Sequence, residues 1–408
     1  MVDPLAPGDA GSRPAITIAG RTIVYAQLNA LIDTVRVPQA GPLDLADHSV
    51  VDTLVAVFAG ARAGSPVVLR APESPAVSAS ALAQIPAGTF LLVMTSGTSG
   101  RPRAVLRTAD SWTSSFSPFT ALTGLTRDDS VLLTGPLHAT LHLFAAVHTL
   151  WLGAHLTDQR SAATAVHAVP TVLADLLADP PARLRTAVVA GAAVPPSLEV
   201  RASEVSVKMI EYYGAAELSF VGARVAPAPL VAFPGVDVRG DDGVIWARSP
   251  YLALGRLSPG SPVAFDDMRD VDGFVTVGDL GTIDDSGVLT IRGRADAAVT
   301  TGGSTVVVED VEAVLNTLSG VKAVAVIGLP HVRLGQVVTA VVELEPGVQL
   351  ETIRQAARKV LTGPVLPRRW HRIDKLPRLR GGKMARARLA ADLAADPVGG
   401  RPGNRSVR

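Results

Sequence analysis

A chain of 408 residues, 48% of them apolar, is long enough for two or more domains and well supplied with core-forming side chains. Its formal net charge of +1, with both signs spread along the sequence, gives no ground for a nucleic-acid or anionic-membrane surface. The absence of cysteine excludes disulfides, thiolate metal sites and a cysteine nucleophile, while no apolar run reaches the length of a membrane span and no basic segment leads into an apolar core, so a cytoplasmic location is expected.

Taken in order, Ala15-Ile16-Thr17-Ile18, the Gly20-Arg21 turn and the stretch from Thr22 to Leu28 predict a hairpin that runs into a helix. Residues 49–69 predict a helix and a following strand. The apolar run Leu91-Leu92-Val93-Met94 predicts a buried strand, which opens into Thr95-Ser96-Gly97-Thr98-Ser99-Gly100-Arg101-Pro102-Arg103-Ala104. Glycines let backbone N–H groups approach an anion, hydroxyls add donors, and Arg103 supplies a charged fork, so this turn has the chemistry of a phosphate loop. It departs from the common nucleoside-triphosphatase loop, because Arg101-Pro102 follows Gly100 where Lys-Ser/Thr is needed. Read by itself, the stretch is also compatible with a Gly/Ser surface turn.

A helix over 108–122 and a strand over 131–133 lead to Pro136-Leu137-His138. There a histidine at a strand end is either a site residue or a packed core residue, and the packed reading is preferred for His142, His148, His155 and His167. The strand ending at Ala190 turns at Gly191-Ala192 into a Pro-initiated helix, where small residues let a flat ring lie on the backbone. In Tyr213-Gly214-Ala215-Ala216-Glu217, a carboxylate just past a strand end can hold Mg²⁺ at phosphates while the aromatic ring stacks on a base. Residues 230–294 predict short strands of a small β-barrel, in which Asp279 offers two acceptor oxygens to a ribose diol and Arg294 can donate to the same sugar. Beyond Ala297, strands over 323–327 and 337–344 with helices over 309–318 and 350–361 predict a compact α+β unit of about a hundred residues. Residues 397–408, rich in Gly, Pro and Arg, are expected to be disordered.

These motifs, in this order and over about residues 90–390, resemble those of the adenylate-forming superfamily of acyl-CoA synthetases, luciferases and peptide-synthetase adenylation domains. The resemblance implies an α/β fold: a large N-terminal lobe of stacked αβα layers plus a small β-barrel over 1–295, shortened relative to the family, then a small mobile α+β C-terminal domain over 296–396, hinged at Asp296. It implies that ATP, Mg²⁺ and a carboxylic acid give acyl-AMP and pyrophosphate, and that a thiol then takes the acyl group. Thr95, Ser96, Gly97, Thr98, Ser99, Gly100 and Arg103 would hold the phosphates, and Thr95 and Glu217 the metal. Gly191, Ala192, Tyr213, Gly214 and Ala216 would surround the adenosine phosphate, with Asp279 and Arg294 on the ribose. His138 would border the acyl pocket, and Lys383, in Gly381-Gly382-Lys383, would neutralise charge that builds on the carboxylate and α-phosphate.

Two substitutions depart from the family pattern: Arg103-Ala104 stands where Lys-Gly is usual, and Ala216 where Thr is usual. Gly302-Gly303 matches the glycine pair of a pantetheine tunnel, which implies coenzyme A as acceptor. The short N-terminal half together with residues 294–303 resembles compact o-succinylbenzoate-CoA ligases, and residues 212–220 resemble fatty acyl-CoA synthetases. The expectation is an acyl- or aryl-CoA ligase with no nucleic-acid partner; no pattern defines an oligomeric state. Two other readings stand beside it: an adenylating enzyme with an amine, carrier-protein or nitrite acceptor, and a nucleotide-binding homologue weakened by Arg103 and Ala216.

Overall fold

Strands such as Val67–Arg70, Leu91–Thr95, Ala165–Ala168 and Thr186–Val189 carry apolar residues at successive positions, as strands covered on both faces must. A computed structural model of the chain describes residues 5–38, 41–72, 74, 76–95, 103–258, 264–294, 298–301, 304–378 and 384–395. They fall into two compact units, the first ending at Ile291 and the second beginning at Arg292.

Among the described residues, the largest sheet of the first unit has nine strands, in the order Val231–Ala232, Ser219–Val225, Lys208–Ala215, Thr186–Val189, Ala165–Ala168, Ser130–Leu132, His155–Thr157, Pro14–Ile18 and Arg21–Val24. The five from Lys208–Ala215 to His155–Thr157 are parallel, with Leu132 beside Val166, Ala168 beside Val189, and Val189 beside Glu211. The crossover helices Pro170–Ala178 and Pro196–Glu204 each carry proline in the first turn, where its missing N–H has no helical partner to lose. The C-terminal ends of the parallel strands therefore line up along one edge, which in open α/β sheets is the edge that receives ligands.

A six-stranded sheet runs Ala264–Asp266, Gly255–Ser258, Arg103–Arg107, Leu91–Thr95, Val67–Arg70 and Leu43–Ala46. The region expected as a small barrel distributes its strands over three sheets. Asp237–Asp241, Val244–Arg248, Asp279–Ile283 and Leu289–Arg294 make a four-stranded sheet of their own, while Val231–Ala232 and the pair Gly255–Ser258 and Ala264–Asp266 extend the other two. The helices Asp110–Thr123 and Thr140–Trp151 fill the space on the nine-stranded sheet with Phe116, Phe119 and Phe144, whose rings meet edge to face against His148 and Phe220.

The second unit is built on the long hairpin of Val321–His331 and Gly335–Leu344, joined by Val299–Thr301, Ser304–Val306 and the parallel strand Arg369–Arg372. Its alternation is two-sided. Val324, Val326, Val338, Ala340 and Val342 pack with Val311, Leu315 and Ala357 of two helices, whereas Ala325, Ile327, Leu329, Val337 and Val341 pack with Leu389 of the helix Arg386–Ala395. No helix among the described residues is long and apolar enough to cross a membrane.

Candidate active site

Five of the sequence-derived candidates lie at or just beyond the C-terminal ends of the parallel strands. Gly191, two residues past Val189, adopts a φ of +86°, a conformation that glycine takes without strain, and Gly191 and Ala192 form an exposed ledge. Tyr213 and Gly214 stand correspondingly at the end of Lys208–Ala215. His138, half-buried, follows Ser130–Leu132 in the same edge.

The Tyr213 hydroxyl donates to Asp279 Oδ2 at 2.8 Å, so the expected base-stacking ring and the expected ribose acceptor are joined by a direct bond across 66 residues of sequence. Asp279 opens the strand Asp279–Ile283 and is 7% exposed. Glu217, half-buried, closes the turn between Lys208–Ala215 and Ser219–Val225, and its carbonyl oxygen accepts from the Ala253 N–H at 2.8 Å. Thr95 ends one strand and Arg103 begins the next, directly opposite in antiparallel register. Ser96, Gly97, Thr98, Ser99, Gly100, Asp296, Gly302, Gly303 and Lys383 lie outside the described residues, as do the side chains of Thr95 and Arg294.

Gly214 has a structural reason of its own. A Cβ at this position would fall 1.8 Å from the Ser219 carbonyl oxygen, at the point where the hairpin register shifts between Tyr213 and Gly214. Gly214→Ala is expected to lower stability by about 3 kcal/mol in urea unfolding, because the contact is with rigid backbone. A variant as stable as the parent would show that the hairpin shifts freely.

His142, His148, His155 and His167 are packing residues. His142 is 3% exposed and lies so close that a Cβ on Gly135 would stand 2.2 Å from its Nε2; burial, reinforced by His138, pushes its pKa down to about 4. His148 is held by Thr120 at 2.8 Å, and burial pushes it down to about 3. His167 has no hydrogen-bond partner among the described residues on either ring nitrogen and is likewise pushed down to about 3 by burial, with His148 and His142 adding to the effect. His155 bridges Ser130 and Thr17. All four were open to a packing reading in the sequence, and the structure gives each that role.

Sequence reasoning missed Arg107. This side chain ends the strand Arg103–Arg107, is 1% exposed, and reaches across to donate to the carbonyl oxygens of Ala216, at 2.5 Å, and Tyr251. Burial pulls its pKa down to about 9, against the opposite pull of Glu217, so it stays a cation at neutral pH. A signal was present. The run Leu91-Leu92-Val93-Met94 marks a sheet covered on both faces, and a charge on the neighbouring strand Ala104-Val105-Leu106-Arg107 then requires buried partners.

Comparison with known proteins points the same way. The family model described as AMP-binding enzyme matches residues 86–255, and that described as AMP-binding enzyme C-terminal domain matches residues 310–383. A ligase of Mycobacterium tuberculosis named for joining a methyl-dioxo-octahydro-indenyl propanoyl group to CoA is 32% identical over 399 residues, covering 89% of this chain and 75% of its own. A probable 2-succinylbenzoate–CoA ligase of the same organism is 31% identical over 340 residues, covering 77% of this chain and 87% of its own. Among solved structures, MenE of E. coli with bound OSB-AMS superposes with a TM-score of 0.82 at 23% identity, over 94% of this chain and 96% of that chain. ATP-bound MatB of Rhodopseudomonas palustris gives 0.78 at 23% identity, over 95% and 97%. At that identity the two structures show the shared fold.

Proposed function

Because the chain belongs to the family of AMP-binding enzymes, we propose that it is an acid–thiol ligase: it activates a carboxylic acid with ATP, releases pyrophosphate, and passes the acyl group to coenzyme A. In the first half-reaction a carboxylate oxygen bonds to the α-phosphorus as the bond to the bridging oxygen of pyrophosphate breaks. In the second, the CoA sulfur, having lost its proton, attacks the acyl carbon and AMP leaves. The observation that supports this reading best is the Tyr213–Asp279 bond, which joins a ring able to stack on a base to an acceptor suited to a diol, four residues along the chain from the hard carboxylate of Glu217.

In this reading Tyr213 and the Gly191–Ala192 ledge sandwich the adenine, and Asp279 accepts from the ribose hydroxyls. Arg103 and the loop from Thr95 to Gly100 hold the phosphates, and His138 borders the acid. Glu217 suits Mg²⁺: it is a single hard carboxylate, and no cluster of three or more His, Cys, Asp or Glu among the described residues forms an all-protein cage, the usual situation where phosphate oxygens and water complete the coordination. When bound, Mg²⁺ neutralises charge on the leaving phosphates. Gly302 and Gly303 are proposed for the pantetheine arm and Lys383 for the α-phosphate, on the sequence motifs. The cytoplasm, where ATP and CoA are both supplied, is the compartment this chemistry requires.

Pyrophosphate release measured over a panel of acids, with and without CoA, tests the proposal. Substituted benzoates with a succinyl arm and fused-ring propanoates, the acid types for which the relatives are named, belong first in the panel. Expected is CoA-dependent formation of AMP and thioester with at least one acid. Adenylation that never passes to CoA would overturn the acceptor, and absence of pyrophosphate with every acid would overturn the activity.

A further inference from the structure

An arginine buried at the end of a strand is costly: the penalty for taking a cation out of water amounts to several kcal/mol before its hydrogen bonds are counted. Arg107 recovers only part of this, since its Nε has no hydrogen-bond partner among the described residues while its terminal nitrogens go to Ala216 and Tyr251. An apolar residue would fill the position beside Leu106, Trp112 and Val105, all buried, without that penalty. What the arginine adds is its grip on the turn. The carbonyl of Ala216 belongs to the peptide plane before the Glu217 Cα, and the carbonyl of Glu217 to the plane after it. Arg107 holds the first and the Ala253 N–H holds the second, so both backbone angles of Glu217 are set and its Cα–Cβ bond has one direction. Arg107 also ties down Tyr251, two residues before Ala253, so a single side chain braces both sides of the turn. Ala216 offers no hydroxyl that could fasten the turn from its own side.

We propose that Arg107 is a positioning residue, which fixes the main chain at Ala216 so that the Glu217 carboxylate is presented to a magnesium ion carried by the nucleotide phosphates. This rests on the metal-binding role given to Glu217 above. Arg107 itself touches neither nucleotide nor acid in this scheme.

The test measures the Mg²⁺ concentration that half-saturates ATP binding, read with a fluorescent ATP analogue, in wild type, Arg107→Met, Arg107→Lys and Glu217→Gln, with thermal melting of each. Loosening a group that orients a metal ligand costs about tenfold or more in metal affinity. Arg107→Met is therefore expected to raise the Mg²⁺ requirement about tenfold while binding of nucleotide without metal stays unchanged, and Arg107→Lys, which keeps a cation and a donor, to recover part of the loss. A folded Arg107→Met with the wild-type Mg²⁺ requirement overturns the proposal. If the methionine variant does not fold, the lysine variant decides on the same criterion, and failure of both to fold makes Arg107 a stability residue and overturns it equally. Should Glu217→Gln leave the Mg²⁺ requirement untouched, the metal role of Glu217 fails instead, whatever Arg107 does.

Discussion

Lys383→Ala is expected to slow pyrophosphate release by about a thousandfold while ATP affinity changes by no more than about threefold, because a cation aimed at charge that develops during phosphoryl displacement acts on the transition state and little on the ground state. The chain has five lysines against 33 arginines, and one of the five stands in Gly381-Gly382-Lys383 with arginines at 378, 380 and 386 around it. A compact ammonium on a flexible stem can follow the α-phosphate through the reaction in a way a planar guanidinium cannot, so Lys383→Arg is expected to recover little of the rate. Single-turnover release of pyrophosphate with the best acid of the panel, alongside nucleotide binding, provides the check. Acyl-AMP formed by the alanine variant at the parental rate would remove Lys383 from the mechanism.

Acidification is expected to have the largest effect on stability. His142, His148 and His167 are buried with pKa values pushed down to about 4, 3 and 3, and burial lowers His155 as well. The unfolded chain takes up protons on these rings near their ordinary pKa of about 6.5, whereas the folded chain does not until pH is well below 5. Unfolding therefore absorbs protons, and the stabilisation present above about pH 6.5 is lost as pH falls toward 4. Three such rings give a slope that approaches about 4 kcal/mol per pH unit near pH 5. Urea unfolding at pH 7, 6 and 5 measures this directly. His167→Leu, which removes a buried ring whose pKa is pushed down by burial, should flatten the slope by about one proton. Equal stability at pH 7 and pH 5 would mean that water or rearrangement relieves these rings.

The elements that local chemistry specifies were legible in the residues. Expected helices over 108–122 and 350–361 correspond to Asp110–Thr123 and Leu350–Val360, and the strand over 337–344 to Gly335–Leu344, because apolar spacing and turn residues act over a few positions. Tyr213, Glu217 and Asp279 were legible as side chains with the chemistry to meet a nucleotide, while the bond between Tyr213 and Asp279 was not. Nor was the reason for Gly214. Its glycine is required by the Ser219 carbonyl across the hairpin, a contact that depends on a register shift no single strand announces.

By itself, then, the sequence determined the order of elements, the kind of groups available at each turn, and through its motifs the family. Tertiary structure alone decided which groups meet: that Tyr213 bonds to Asp279, that His148 and His167 both pack on the Phe119 ring, and that Arg107 grips a carbonyl 109 residues away. The physical reason is range. Backbone periodicity and turn preference are set by neighbours along the chain, whereas the partner of a buried charge is set by how separate sheets pack, and packing is a property of the whole fold.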